Sequence, residues 1–317
     1  MIYRSLVPCI ILICSVNAFS ANQLRIPPDA FSSSIGGANI AGINAINGPA
    51  ANPASLNKSK SIGIVISNSF MPLDRYIQSG LISKSISKAA SVSLYYTRLG
   101  TKRIQTYDHM NNPLDIISTD EGYGALIFGL KILDSVGIGI AVKGYRNDII
   151  AGQKGTGAGL DFGIQYELNN YGFGIVVRDC FARYSWRIDA GSEMVSAYTE
   201  DIPESLSIGA NYLYRKYNYL IQYDISAINS QGINDCIRLG FILNISNNFD
   251  IRGGMYSINK FQYNNKVLNI SNMVPSIGSQ IRTSVLNRSI ILGTAISYGH
   301  SSEGLTSTMT IGIEQWK

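Results

Sequence analysis

The sequence predicts an all-β protein, a 14-stranded antiparallel transmembrane β-barrel with a small N-terminal plug segment. Three observations carry this prediction: segments that alternate apolar with small or polar residues, connections that alternate between short and long, and a composition poor in charge. Of 317 residues, 15% are charged, while Gly (31) and Tyr (19) are abundant. Small inward residues and interfacial aromatics suit a barrel, whereas a soluble surface would carry more charge.

The clearest alternation lies between residues 136 and 180. In its first segment one face is apolar and the other is small or charged: Val136, Ile138, Ile140 and Val142 alternate with Gly137, Gly139, Ala141 and Lys143. Segments 158–167 and 171–178 repeat this pattern on either side of an Asn-Asn turn. Because successive strand side chains point to opposite faces, each segment has one apolar face. Alternation alone also fits a soluble barrel or sandwich whose apolar face points inward.

The number and spacing of such segments favour the membrane barrel. We predict fourteen strands, near 61–71, 75–86, 90–99, 121–132, 136–146, 157–168, 171–182, 204–214, 217–227, 235–245, 248–257, 273–282, 289–299 and 306–316. Short turns alternate with longer links, which fall at 100–120, 147–156, 183–203, 258–272 and 300–305. Membrane barrels combine short periplasmic turns with longer outer loops, and a sandwich has no reason to keep that alternation. Tyrosines near strand ends fit an interfacial girdle: Tyr95, Tyr96, Tyr212, Tyr214, Tyr217, Tyr219 and Tyr298.

The chain divides into a predicted signal peptide (1–20), an N-terminal plug or lead-in segment (21–60) and the barrel (61–317). Arg4 precedes an apolar run that is too short to span a bilayer, and small residues follow it, as in a cleaved secretory signal. Lipidation of Cys9 or Cys14 is the less favoured alternative, because larger residues precede both cysteines. For the two remaining cysteines, Cys180 and Cys236, we favour buried thiols over a disulfide.

Small residues dominate the segment before the first strand. It contains Gly36-Gly37-Ala38, Ala41-Gly42 and a run from Gly48 to Leu56 that includes the plug motif Asn52, Pro53 and Ala54. Placed after a signal peptide and before an apolar strand, this arrangement resembles the start of FadL-like and PorV/PorQ-like outer-membrane proteins. The resemblance implies a monomeric barrel surrounded by lipid in the bacterial outer membrane. The short segment and short loops are closer to the PorV/PorQ side.

No arrangement of residues predicts catalysis. The two histidines, His109 and His300, fall in separate predicted outer loops, so a Ser/His/Asp site is not indicated. Histidines and cysteines are too dispersed for a metal site, and no cofactor motif is present. The net charge of +5 is scattered and accompanied by no nucleic-acid-binding motif. We therefore expect no enzyme activity, no cofactor, no metal and no nucleic-acid partner.

The faces opposite the apolar ones carry nine charged residues. If the apolar faces meet lipid, these side chains point into the lumen: Lys143, Asp161, Glu167, Arg178, Asp224, Arg238, Asp250, Arg252 and Glu314. They either hold the barrel interior together as ion pairs or line a polar conduit controlled by the plug.

The resemblance implies a passive channel for small hydrophobic molecules. Resemblance to PorV implies the alternative, a non-transporting component of a protein secretion or surface-attachment system. An apolar pocket between plug and wall would favour transport. A lumen sealed by ion pairs, with apolar residues exposed on the outer loops, would favour the partner role. The aromatic side chains of Phe181, Tyr184 and Trp186 suit either a ligand mouth or a partner surface.

Overall fold

The computed structural model describes residues 26–42, 46–58, 62–149, 153–190, 193–228, 232–261, 273–285, 288–299 and 304–315. The predicted signal peptide and His300 lie outside these ranges. Two short α-helices, α1 (Ala30–Ser34) and α2 (Gly48–Ala51), and a 3-10 helix, η1 (Pro53–Lys58), precede the strands. Within the described ranges, no helix is both long and apolar enough to cross a membrane.

Fifteen strands follow the helices. They are β1 (Ile62–Met71), β2 (Arg75–Ser85), β3 (Ala90–Tyr107), β4 (Pro113–Leu133), β5 (Val136–Asp148), β6 (Gln153–Leu168), β7 (Tyr171–Ala190), β8 (Glu193–Asp201), β9 (Ser205–Tyr214), β10 (Tyr217–Ile228), β11 (Gly232–Ser246), β12 (Phe249–Phe261), β13 (Met273–Val285), β14 (Arg288–Tyr298) and β15 (Leu305–Gln315). All of them pair antiparallel, and β1 pairs with β15 to close a ring. The ring contains fourteen strands, as predicted, and β8 lies outside it.

Burial alternates along the ring strands and shows which face is apolar. On β1, Ile66 is 65% exposed, whereas its neighbours Val65 and Ser67 are buried. The same phase recurs on β14 and β15, where Leu292 and Ile311 are exposed. The large apolar side chains therefore cover the outside of the ring, and small or polar side chains fill the inside. This is the pattern of a membrane barrel, and it excludes the soluble alternative.

The predicted outer loops at 100–120 and 183–203 are wrong in their extent. Strands β3 and β4 continue to a hairpin tip at 108–112, and β7 and β8 form a second projecting hairpin. Two-residue turns at 134–135, 169–170, 215–216 and 247–248 lie at the opposite end of the barrel. Because short turns are periplasmic in such barrels, both hairpins project from the outer end.

The N-terminal segment (residues 26–42 and 46–58) lies inside the ring. Ala30 N–H donates to Thr310 Oγ1 on β15 (2.8 Å). Side chains of two other strands donate to its carbonyl oxygens: Gln165 on β6 to Ile40 (3.1 Å) and Arg238 on β11 to Gly36 (3.2 Å). Strands so widely spaced around a closed ring can be reached together only from within it. The boundaries predicted for the three parts of the chain stay a prediction.

Close backbone contacts fix this segment against the wall. A Cβ atom on Gly254 of β12 would overlap the backbone of Ile35, and one on Gly139 of β5 would overlap the backbone of Pro53. Ile35, Ile40 and Asn52 are completely buried. Glycine on the inner face of the strands therefore gives the segment the space that any side chain would fill.

Candidate functional site in the barrel lumen

A buried ion cluster lies at the centre of the lumen. Lys143 Nζ on β5 lies 2.7 Å from Asp161 Oδ2 on β6 and 2.8 Å from Asp179 Oδ1 on β7. Tyr145 donates its hydroxyl to the same Asp179 oxygen (2.5 Å). Lys143 and Asp161 are each only 6% exposed, and the ammonium lies 4.8 Å from the centre of the Tyr123 ring. Two carboxylates and the rings of Tyr123 and Tyr145 therefore surround a single cation.

Asp179 reaches this cluster because β7 bulges. Phe162 pairs with Val177 and Leu160 pairs with Cys180, so both Arg178 and Asp179 oppose Asp161. Asp179 has φ 62°, in the left-handed region where Asp is tolerated. We did not predict Asp179 as a site residue. The sequence does contain a signal for it, because regular alternation would place this carboxylate on the lipid face, where a charge is costly.

A second group of charges joins the wall to the N-terminal segment. Arg178 donates to Ser207 Oγ on β9 and to the carbonyl oxygen of Ala51, both at 2.6 Å. Asp224 Oδ2 on β10 accepts from Arg238 Nε on β11 at 2.5 Å, and both residues are largely buried. These side chains therefore fix the segment at α2 as well as at the turn that follows α1.

The remaining predicted charges lie nearer the periplasmic end. Arg252 on β12 pairs with Asp250 (2.5 Å), and its guanidinium carbon lies 4.2 Å from the centre of the Phe31 ring. Glu167 and Glu314 are partly buried. Of the nine predicted charges, the structure thus leaves these four outside the central region and brings the other five to it: Lys143, Asp161, Arg178, Asp224 and Arg238. A conduit lined by the nine charges stays a prediction.

The N-terminal segment lines cavities at three levels of the described barrel. The outer cavity (about 360 Å³) is lined by Ile26 with residues of β1 to β5. The central cavity (about 110 Å³) is lined by Asp29, Ala51 and the ion clusters. The periplasmic cavity (about 410 Å³) is lined by Phe31, Asn47 and the asparagine-rich turns. The segment therefore lies between the central and periplasmic cavities.

A row of aromatic rings connects the outer hairpin to the central cavity. The ring-centre distances between successive members are 5.7, 5.7, 5.9, 5.4 and 6.0 Å in the order Tyr95, Tyr123, Tyr145, Tyr184, Trp186 and Tyr198. We call these six residues the aromatic row. Tyr95, predicted as part of an outward girdle, is wrongly placed there: it is 4% exposed and packs inward on Tyr123, whereas Tyr96 is exposed.

The described residues contain no group of three or more His, Cys, Asp and Glu side chains arranged to hold a metal ion. Cys180 and Cys236 are both buried and form no disulfide, in agreement with the favoured prediction. His109 lies at the exposed tip of the β3–β4 hairpin.

A closed fourteen-stranded barrel with an internal N-terminal segment is an outer-membrane architecture. No family model matches the sequence, and no curated protein is similar to it. Solved structures do share the fold. The Pseudomonas putida toluene transporter TodX aligns with a TM-score of 0.63 at 11% identity, over 91% of this chain and 98% of that one.

Two further structures agree. The Ralstonia pickettii toluene transporter TbuX aligns with a TM-score of 0.62 at 9% identity, over 93% of this chain and 100% of that one. A Pseudomonas aeruginosa FadL homologue aligns with a TM-score of 0.60 at 9% identity, over 94% of this chain and 99% of that one. The resemblance to FadL-like barrels is confirmed as a shared fold. The PorV/PorQ side of the resemblance stays a prediction.

Proposed function

We propose that this protein is a passive outer-membrane channel for small hydrophobic molecules. The observation that carries the proposal is the aromatic row, which runs from the β7–β8 hairpin into the lumen of a fold shared with two toluene transporters. Apolar and aromatic ligands gain contact area from ring faces at each step of such a row. The outer cavity is the entrance, and the central cavity is the site where a ligand pauses.

Passage beyond the central cavity requires the N-terminal segment to move. Asn52 donates to the carbonyl oxygens of Ile40 (2.9 Å) and Ile164 (3.2 Å), and its own side-chain oxygen accepts from Ala54 N–H (3.0 Å). One completely buried side chain thus joins the two halves of the segment and holds both against β6. The motif Asn52-Pro53-Ala54 is therefore the closure that we assign to the channel.

Uptake into liposomes tests the proposal. The refolded protein should carry toluene and a fluorescent long-chain fatty acid across the bilayer, and Asn52→Ala should accelerate uptake by loosening the segment. Asn68→Ala is the matched control, because Asn68 on β1 bonds only Gln78 of the neighbouring strand among the described hydrogen bonds. No uptake by the wild type or Asn52→Ala, from barrels shown to be folded, would refute transport.

A second candidate function, attachment of a protein at the cell surface, rests on the same structure. Ion pairs fill the centre of the lumen, and the β3–β4 hairpin exposes an apolar patch of four residues: Tyr107 (56%), Met110 (73%), Leu114 (56%) and Ile116 (64%). The double variant Ile116→Ser with Met110→Ser should abolish attachment of the partner protein at the cell surface and leave liposome uptake unchanged. If this double variant lost uptake but still attached the partner protein, the assignment of the apolar patch to attachment would be contradicted.

A further inference from the structure

Among the described residues, β8 is the one strand outside the closed ring. Its nine residues pair with residues 183–190 of β7, while β9 pairs with 171–178 of the same strand. The other edge of β7 is paired with β6. Strands β8 and β9 therefore lie one after the other along the same edge of β7. Across the described part of the chain, no strand pairs with the far edge of β8.

The ladder shows which backbone groups point to that far edge. Ile202 N–H donates to the carbonyl oxygen of Ala182 (2.9 Å), in register with the β7–β8 pairs. In an antiparallel ladder, bonded and non-bonded pairs alternate. Even-numbered residues of β8 therefore bond to β7, whereas Ala197, Thr199 and Asp201 direct their N–H and C=O groups outward.

The edge from Ser196 to Thr199 has none of the usual protection, although β8 is bulged just before it at Val195, where the pairing with β7 shifts register. Native sheets block open edges with lysine, proline, bulges or covering elements. Residues 194–199 of β8 read Met-Val-Ser-Ala-Tyr-Thr and contain no charge, proline or glycine, and the four side chains from Ser196 to Thr199 are exposed. Within the closed ring the strands need no such protection, because closure pairs their edges.

The charges of β8 indicate what the edge can bind. The strand carries three acidic residues, Glu193, Glu200 and Asp201, and no basic residue. Antiparallel pairing with a second copy about Ala197 would set Glu193 opposite the acidic residue at position 201 of that copy, and like charges directly opposite destabilise a strand pair. A strand with basic side chains would meet acidic residues at both ends of β8, where Asp201 is also paired with Arg183 of β7 (2.5 Å).

We propose that the far edge of β8 binds an extended basic segment of another polypeptide by strand addition. The backbone of Ala197 and Thr199 supplies the hydrogen bonds, and the acidic ends of β8 select the charge of the segment. The inference does not depend on transport, and it gives the second candidate function a docking strand separate from the β3–β4 patch.

Peptide binding to the full-length barrel in detergent micelles tests this inference. The probe is a fluorescent nine-residue peptide of alternating threonine and lysine, and its partner replaces lysine with glutamate. Anisotropy titration should show binding of the lysine peptide and at least about tenfold weaker binding of the glutamate peptide. Absence of binding, or equal binding of the two peptides, would overturn the proposal.

Two double variants then locate the site. Ala197→Pro with Thr199→Pro removes two outward N–H groups and no bond to β7, so affinity should fall by about tenfold or more. Ala197→Val with Thr199→Val keeps both N–H groups and should bind within about twofold of the wild type. Heat-dependent gel mobility verifies that each barrel is folded. Unchanged binding by the proline variant, or wild-type dimers in sedimentation that this variant abolishes, would contradict a basic peptide as the occupant.

Discussion

Removing the ammonium group of Lys143 should destabilise the barrel strongly. The cation is 2.7 and 2.8 Å from two carboxylates in a region where Lys143, Asp161 and Asp179 are all buried. Lys143→Met therefore leaves two buried carboxylates close together without their shared counter-charge. Breaking a buried pair from one side costs about 3–5 kcal/mol, and two uncompensated carboxylates place this variant near the upper end of that range.

The free energy of unfolding measured by urea titration in lipid vesicles provides the assay. The triple variant Lys143→Met, Asp161→Asn, Asp179→Asn should recover most of the loss, because no buried charge is left unpaired. Lys131→Met is the matched control: Lys131 Nζ lies 2.6 Å from Asp134 Oδ1, but Asp134 is fully exposed, so we expect no measurable change. A loss below about 1 kcal/mol for Lys143→Met, or a triple variant no more stable than it, would refute the reasoning.

Three other predictions address the segment and the outer hairpin. Gly254→Ala should expose the N-terminal segment to protease because the new methyl overlaps its backbone, while Gly253→Ala, whose methyl would lie 4.0 Å from the nearest heavy atom, should not. Asn52→Ala should lower the free energy of unfolding by about 1–3 kcal/mol, because it removes two hydrogen bonds to carbonyl oxygens and the acceptor of the Ala54 N–H, and a smaller loss in the same titration would contradict its role. Hydrogen bonds from the Asn112 side chain and then its backbone N–H hold the pKa of Asp108 below its usual value. The stabilisation from these bonds is fully present above the usual pKa and is lost as pH falls through the lowered pKa. The protection of the Asn112 amide, which is its exchange rate relative to that of an unstructured peptide at the same pH, should therefore fall only in acid, and protection that does not change with pH would contradict this.

The strands of the ring could be predicted from the sequence because the two faces of each strand lie in different environments. One face of β5 and of β6 meets lipid and the other meets the lumen, so apolar and polar residues alternate strongly along both strands. The predicted ends of these strands lie within a few residues of the observed ends. Beyond the bilayer both faces of β3 and β4 meet water, so the period-two signal disappears although the strands continue. The wrong prediction of a loop at 100–120 follows from this loss of alternation.

The central site was less predictable, because it depends on a departure from regular alternation. Lys143 and Asp161 follow the face pattern of their strands, but Asp179 joins them only through the bulge in β7. Tyr95 was misplaced for a different reason: it shares the inner face of β3 with Ser93 and Thr97, so the alternation itself indicates its inward direction. The alternation does not show its contact with Tyr123 on the neighbouring strand, because contacts between strands leave no trace in a single sequence.

The position of the N-terminal segment also bears on how the barrel assembles. Pairing of β1 with β15 joins strands some 250 residues apart, which makes it the longest-range contact of the ring. The segment shortens that search: α1 lies fewer than 30 residues before β1 in the chain, and it already bonds Thr310 on β15 and packs on β13 and β14. The segment thus acts as an internal template that brings the first and last strands of the sheet together. A chain without residues 21–58 would lack this template. Its first defect would be slow insertion of the barrel into the membrane, and a change in the passage of ligands would follow only once the barrel had formed.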